Sequence, residues 1–158
     1  MKLDIGGGAK RNDDWKTIDI NPAADIVHDL DKFPWPLENE SCDELYSNHT
    51  LEHLKEPLKA MEEAYRIAKD GTIFHIKIPW WKEDMFSSPE HRNYFKPLWF
   101  NKLNNYAYSQ NMKHLCKINW KVIREGKIRG KHNKLKVYGY EVWLKADKQK
   151  EISNRQRG

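Results

Sequence analysis

The chain has 158 residues, 39% of them hydrophobic and 32% charged, with seven Trp, a balance that fits one soluble globular domain and disfavours a disordered chain. Cys42 and Cys116 form no CxxC pair, no apolar run nears the ~20 residues of a membrane span, and MKLDIGGG lacks the apolar stretch of a signal peptide. A disulfide scaffold, a structural zinc finger and an integral membrane protein are therefore excluded, and a reduced, cytoplasmic setting is expected.

Lys2-Leu3-Asp4-Ile5 reads as a strand running into Gly6-Gly7-Gly8, where glycine permits positive φ and close approach of a ligand to the backbone. Thr17–Ile20 is a second strand, ended by the turn signal Asn21-Pro22, and Asp25–Asp29 is a brief third. The prolines of Phe33-Pro34-Trp35-Pro36-Leu37 exclude regular structure, and Asp43–Ser47 is strand four. From Pro57 to Lys69 the spacing of Leu58, Met61, Tyr65 and Ala68 predicts an amphipathic helix, with Asp70-Gly71 as its stop. Thr72–Ile78 is strand five, closed by Pro79. Residues 79–110 form an aromatic-rich insertion expected to cap the site, with a helix from Pro97 to about Tyr108. Two β-like runs, Lys117–Glu125 and Leu135–Lys145, close the domain, and 147–158 reads as a flexible polar tail.

This order predicts an α/β fold in one domain, residues 1–146: an open, mostly parallel sheet with an antiparallel C-terminal strand pair. In such sheets ligands sit outside the carboxyl ends of the strands. Three of those ends carry suitable groups: Asp4 with Gly6, Gly7 and Gly8, then Asp19, then Asp29. A carboxylate after strand two can accept both hydroxyls of a ribose, and one after strand three can accept a hydrogen bond from an exocyclic amine. The constellation reads as an adenosine site. A pyrophosphate cofactor is disfavoured, because Arg11 occupies the third glycine position of GxGxxG and AKRNDDWKT is too short and polar for a packed phosphate-binding helix. No G-K-[ST] of a P-loop occurs. A phosphate-free ligand such as S-adenosylmethionine fits better.

The ordered series LDIGGG, Trp15, IDINPAADIVHDL, PWPLENESCDELYSNHTLEHL, EPLKAMEEAYRIAKDGTIFHIKIP and SSPEHRNYFKP resembles the class I S-adenosylmethionine-dependent methyltransferases, most nearly the abbreviated methyltransferase-type-11-like branch, over residues 2–100. The resemblance implies a Rossmann-like sheet whose first crossover helix is reduced to a turn ending in a Trp. It also implies a glycine loop under the methionine moiety (Asp4, Gly6, Gly7, Gly8), a ribose acid with its neighbour (Asp19, Ile20), an adenine-facing pair (Asp29, Leu30), and Ser47, Asn48 and His49 beside the methionine tail and the methyl. Gly7 departs from the Cys or other small residue usual in related loops. The chain starts at strand one, so a substrate lid is expected from elsewhere or from a partner.

Methyl transfer to an oxygen or nitrogen of an unidentified acceptor is the activity implied, with S-adenosylhomocysteine as product. A histidine is the side chain best matched to take a proton at neutral pH, and His49 and His91 are the candidates. Trp80, Trp81 and Arg92 of the insertion are candidate substrate contacts, although its aromatics could equally form a small core. Trp15 is expected beside the glycine loop, His75 as a core residue of strand five, and His53 packed on the next helix. His49-Thr50-Leu51-Glu52-His53 matches the H-x-x-E-H zinc-protease pattern, but Pro57 and the flanking strands are wrong for a protease helix, so no metal is expected. Charge is lopsided: residues 1–109 carry a balance of −5 and residues 110–158 one of +10. The basic end leaves RNA or another polyanion as a partner, while its alternation with apolar residues suits a solvated sheet edge. A binding module without catalysis, docking through that basic face, is the alternative function.

Overall fold

The computed structural model describes residues 1–9, 14–80, 88–104, 118–130 and 136–148. Seven strands form one sheet in the order β3-β2-β1-β4-β5-β7-β6. The strands are β1 (Lys2–Ile5), β2 (Trp15–Asp19), β3 (Ile26–Val27), β4 (Cys42–Asn48), β5 (Ala68–Pro79), β6 (Trp120–Arg129) and β7 (Val137–Ala146). The pairs β1–β2, β1–β4, β2–β3 and β4–β5 are parallel, whereas β5–β7 and β6–β7 are antiparallel. The expected mostly parallel sheet with an antiparallel C-terminal pair is the architecture found. Strand order reverses at β1, between β2 and β4, and there the ends of three parallel strands open into one crevice. No helix among the described residues is long and apolar enough to cross a membrane.

Alternation along the strands sends Leu3, Leu45, Phe74 and Leu144 to one face in register, and Ile5, Ile76 and Val142 join them; all are buried. Helix α1 (Pro57–Ile67) covers this face with Ala60, Met61, Ala64, Tyr65 and Ile67. Its start is held by Asp31, whose Oδ1 accepts the N–H groups of Lys55 (2.8 Å) and Glu56 (3.2 Å), while Pro57 occupies the first turn, where no donor is needed. Glu63 and Arg66 then tie the proline-rich loop to the helix. The Glu63 carboxylate accepts from the Trp35 N–H (2.7 Å) and from the Arg66 guanidinium, which also donates to the carbonyls of Trp35 and Leu37.

Three expectations are corrected. The helix ends at Ile67 instead of Lys69, because Ala68 already pairs with Cys42 and the Thr72 hydroxyl donates to the Cys42 carbonyl (2.9 Å), drawing Asp70-Gly71 into β5. Strand β6 begins at Trp120 and continues past Glu125 to Arg129, since a shift in register between Val122 and Arg124 lets the ladder with β7 carry on. Trp15 opens β2 and meets Tyr46 edge-on at 6.2 Å instead of lying beside the glycine loop. Helix α2 (Pro97–Asn101) starts where expected but ends at Asn101, with Lys102–Asn104 in a turn instead of continuing towards Tyr108; residues 105–108 lie outside the described residues.

The aromatic insertion builds a core of its own. Phe95, Trp99 and Phe100 contact one another at 4.7–6.0 Å between ring centroids, and Phe100 reaches Tyr140 of β7 at 6.0 Å.

Candidate active site

Gly6, Asp19, Ile20, Asp29, Leu30, His49, Thr50, His53 and Leu54 line a cleft of about 240 Å³ at the carboxyl ends of the parallel strands. The glycines are demanded by the backbone and by their neighbours. Gly6 (φ +73°) and Gly8 (φ +65°) occupy the left-handed region, and a Cβ on Gly6 would stand 2.2 Å from the Thr50 hydroxyl. That hydroxyl donates to the Ile5 carbonyl (3.2 Å), tying the end of β1 to the segment after β4. A Cβ on Gly7 would lie 2.7 Å from the buried Asp4 carboxylate and 3.0 Å from the Thr17 methyl. Gly7 thus lies tight against the Asp4 carboxylate of β1.

Asp19 is fixed by two backbone donors. Gly8 N–H donates to Oδ2 at 2.9 Å and Asn21 N–H to Oδ1 at 2.8 Å, so the glycine loop and the turn after β2 orient one carboxylate. Each oxygen keeps acceptor capacity, which is what a vicinal diol requires. Asp29 is held similarly by the Asp31 N–H (3.0 Å), and the carbonyl of Asp19 receives the His28 N–H (2.8 Å), which sets the spacing of the two acids. Ile20 is 71% exposed, an apolar surface at the cleft on which a flat ring can lie. Two acceptors, a bare loop and an exposed aliphatic side chain fit a nucleoside.

His49 has φ +53°, an unusual conformation for a residue with a Cβ, and its N–H donates to the Lys77 carbonyl (3.0 Å). Its Nδ1 lies 3.1 Å from Oε1 of Glu52. Glu52 belongs to a 3-10 turn, Leu51–His53, and is fully buried. A buried carboxylate on one ring nitrogen fixes the orientation of the imidazole. The other sequence-derived candidates disperse. Ser47 is fully buried in register with Ile5 and Ile76, and Asn48 follows it at the end of β4. Trp80 is packed into the core, its N–H on the Tyr138 carbonyl (3.1 Å) and the Lys127 ammonium 5.0 Å from its ring. Arg92 is exposed, and Trp81 lies outside the described residues.

His53, expected mainly to pack on the next helix and only secondarily as a base, lines the cleft and meets His91 with ring centroids 4.9 Å apart. The cause is backbone pairing: the N–H groups of Arg92 (2.7 Å) and Asn93 (3.1 Å) both donate to the Glu52 carbonyl, and the Asn93 amide donates to the Leu54 carbonyl. The insertion is thereby pinned onto the 3-10 turn. Nothing in the local pattern of either segment signals this.

Residues 4–76 match the model of the methyltransferase domain family. Comparison with curated protein sequences gives no match. Among solved structures the chain is similar to one from the complex between the Haloferax volcanii Trm112 methyltransferase activator and a putative methyltransferase (14% identity, 92% of this chain and 81% of that one, TM-score 0.66). It is similar also to an S-adenosylmethionine-dependent methyltransferase from Aquifex aeolicus (20% identity, 90% and 80% covered, TM-score 0.58). A third is the Burkholderia thailandensis 1,6-didemethyltoxoflavin-N1-methyltransferase with bound 1,6-didemethyltoxoflavin and S-adenosylhomocysteine (10% identity, 92% and 70% covered, TM-score 0.61). Residues 4–76 thus resemble the methyltransferase domain family, and the order and direction of the seven strands give the chain the Rossmann-like fold of these S-adenosylmethionine-dependent methyltransferase structures.

Proposed function

We propose that the protein is an enzyme that transfers the methyl group of S-adenosylmethionine to an oxygen or nitrogen of an acceptor. The observation that carries this reading is the Asp19 carboxylate, held by Gly8 and Asn21 at the rim of the glycine-lined cleft. In this reading Asp19 accepts the ribose hydroxyls, Asp29 and Leu30 border the adenine, Ile20 packs on it, and the Asp4–Gly8 bend lies under the methionine moiety. The cofactor, when bound, supplies an activated methyl on a sulfonium whose departure leaves a neutral thioether. The chain's own contribution is to align the acceptor with that methyl and to exclude water, and alignment of this kind supplies up to about 7–11 kcal/mol.

His49 is the side chain placed to take a proton from the acceptor. It lines the cleft, and Glu52 holds its Nδ1, which leaves Nε2 as the proton-accepting atom and stabilises the imidazolium once formed. His49→Ala is expected to leave S-adenosylhomocysteine affinity within about twofold and to lower turnover about 100-fold, the usual worth of a general base. The experiment is release of S-adenosylhomocysteine on incubation of the protein and S-adenosylmethionine with fractionated acceptor pools. Product release that depends on one fraction and is lost in Asp19→Ala supports methyl transfer. Tight cofactor binding with no product from any pool would favour a binding module instead.

A further inference from the structure

The fully buried Glu52 carboxylate has one oxygen satisfied by His49, while the other, Oε2, has no hydrogen-bond partner among the described residues. Leaving a buried carboxylate oxygen without a donor costs free energy that a fold does not ordinarily leave uncompensated. Around it, Glu52, His53 and His91 each offer a ligand atom, and all three atoms lie within 4.8 Å of one another. We propose that these three side chains form a binding site for a divalent transition-metal cation, built onto the wall of the cofactor cleft, with His49 orienting the carboxylate from outside the ligand set.

The donor chemistry suits that class of ion. Two neutral imidazoles and one carboxylate match Mn²⁺, Fe²⁺, Co²⁺ and Zn²⁺ better than the oxygen-only preference of Mg²⁺ or Ca²⁺. Ligand–metal distances of about 2.0–2.2 Å put neighbouring donor atoms roughly 3.0–3.5 Å apart, so binding requires the side chains to turn in from the present spread of up to 4.8 Å. The backbone is already committed, since the bonds from Arg92 and Asn93 to the Glu52 carbonyl hold the two ligand-bearing segments together. The contact from His49 Nδ1 to Glu52 Oε1 is the outer interaction that fixes a ligating carboxylate. The H-x-x-E-H pattern is therefore used differently from a protease helix: its first histidine supports the carboxylate, and the third donor comes from His91 in the insertion.

Three protein ligands leave coordination positions open, as in catalytic sites and unlike closed structural ones. His53 belongs to both the cluster and the cleft lining, so an open position lies at the cleft. This deepens the methyl-transfer reading and rests on it for its purpose: the cation would favour an acceptor that presents a hydroxyl. A bound cation would lower the pKa of that hydroxyl, its proton would pass to His49, and the oxygen lone pair would form the new C–O bond while the C–S pair stays on sulfur.

The test is titration of tag-free protein with CoCl₂, read by the visible absorption of the protein-bound ion and by calorimetry, with S-adenosylhomocysteine titrated in parallel. One Co²⁺ per chain is expected, with affinity falling at least about tenfold in His53→Ala and in His91→Ala and unchanged in His28→Ala. His91 does not line the cleft, so His91→Ala is expected to keep S-adenosylhomocysteine affinity, which shows that the variant is folded; Glu52→Gln, which risks the buried turn, is secondary. Azide is expected to shift the Co²⁺ band by taking an open position. No Co²⁺ binding up to millimolar concentration, unchanged binding in both His53→Ala and His91→Ala, or a band indifferent to azide would overturn the proposal. Absence of S-adenosylhomocysteine binding with Co²⁺ binding intact would defeat the cofactor assignment alone.

Discussion

The parallel half of the sheet, β1 to β5, and the antiparallel half, β6 and β7, solve different problems with the same strand geometry. Parallel strands send all their carboxyl ends to one edge, so Asp19, Asp29 and His49 arrive together although they come from different stretches of chain. Antiparallel strands alternate their ends and gather nothing. What β6 and β7 add is closure: Trp120, fully buried, meets Tyr65 at 5.5 Å and Phe74 at 5.7 Å and donates its indole N–H to the Met61 carbonyl (3.2 Å). The lesson is a division between a half that gathers the cleft and a half that holds.

The division can be broken by mutation. Trp120→Ala removes the largest fully buried side chain and is expected to cost about 3–5 kcal/mol in denaturant unfolding, with S-adenosylhomocysteine affinity of the folded fraction unchanged. A matching loss of affinity would show that the halves are not separable. Asp19→Ala is the converse: affinity is expected to fall at least about 100-fold with little change in melting temperature, because the lost hydrogen bonds are made to a charged group. Gly7→Ala sharpens the boundary on the binding side. Its Cβ must displace the Asp4 carboxylate, and roughly tenfold weaker binding is expected, measured by calorimetry.

The smallest expected effect lies at the seam. His75 of β5 stacks on Trp143 of β7 at 4.1 Å, with its Nε2 3.2 Å from the Glu141 carboxylate. Burial depresses the imidazole below its ordinary range despite the pull of Glu141 towards the charged form. The unfolded chain therefore takes up a proton before the native state does, and stability is lost as pH falls below about 6.5 towards the lower native value. The melting temperature is expected to drop between pH 7.5 and 5.5, and His75→Phe is expected to flatten that dependence. An unchanged slope in His75→Phe would move the effect to another group.

Much of the sheet is legible in the sequence. Strand-length apolar runs separated by turn residues carried the sheet, and an acid after each of two short strands marked the cleft, since both signals are local. The end of α1 was not readable. Lys69 and Asp70 suit a helix terminus, and only the pairing of Ala68 with Cys42 decides against it. The position of Trp15 is illegible for the same reason, because its partner Tyr46 lies on another strand. The juxtaposition of His53 and His91 depends on two backbone hydrogen bonds to Glu52 from a distant segment, and no periodicity reports that. The basic C-terminal strands are legible as charge but resolve into particular contacts: Arg124 lies 4.5 Å over the Trp143 ring, and Lys121 pairs with Asp147 at 3.7 Å.

The most direct measurement is calorimetric titration of the wild-type protein with S-adenosylmethionine, S-adenosylhomocysteine, NAD and ATP under one set of conditions. Saturable binding of the first two at one site per chain, with NAD and ATP much weaker, is the result expected of a phosphate-free nucleoside cleft ordered by Asp19. No heat from either sulfur compound, or tighter binding of ATP, would contradict it.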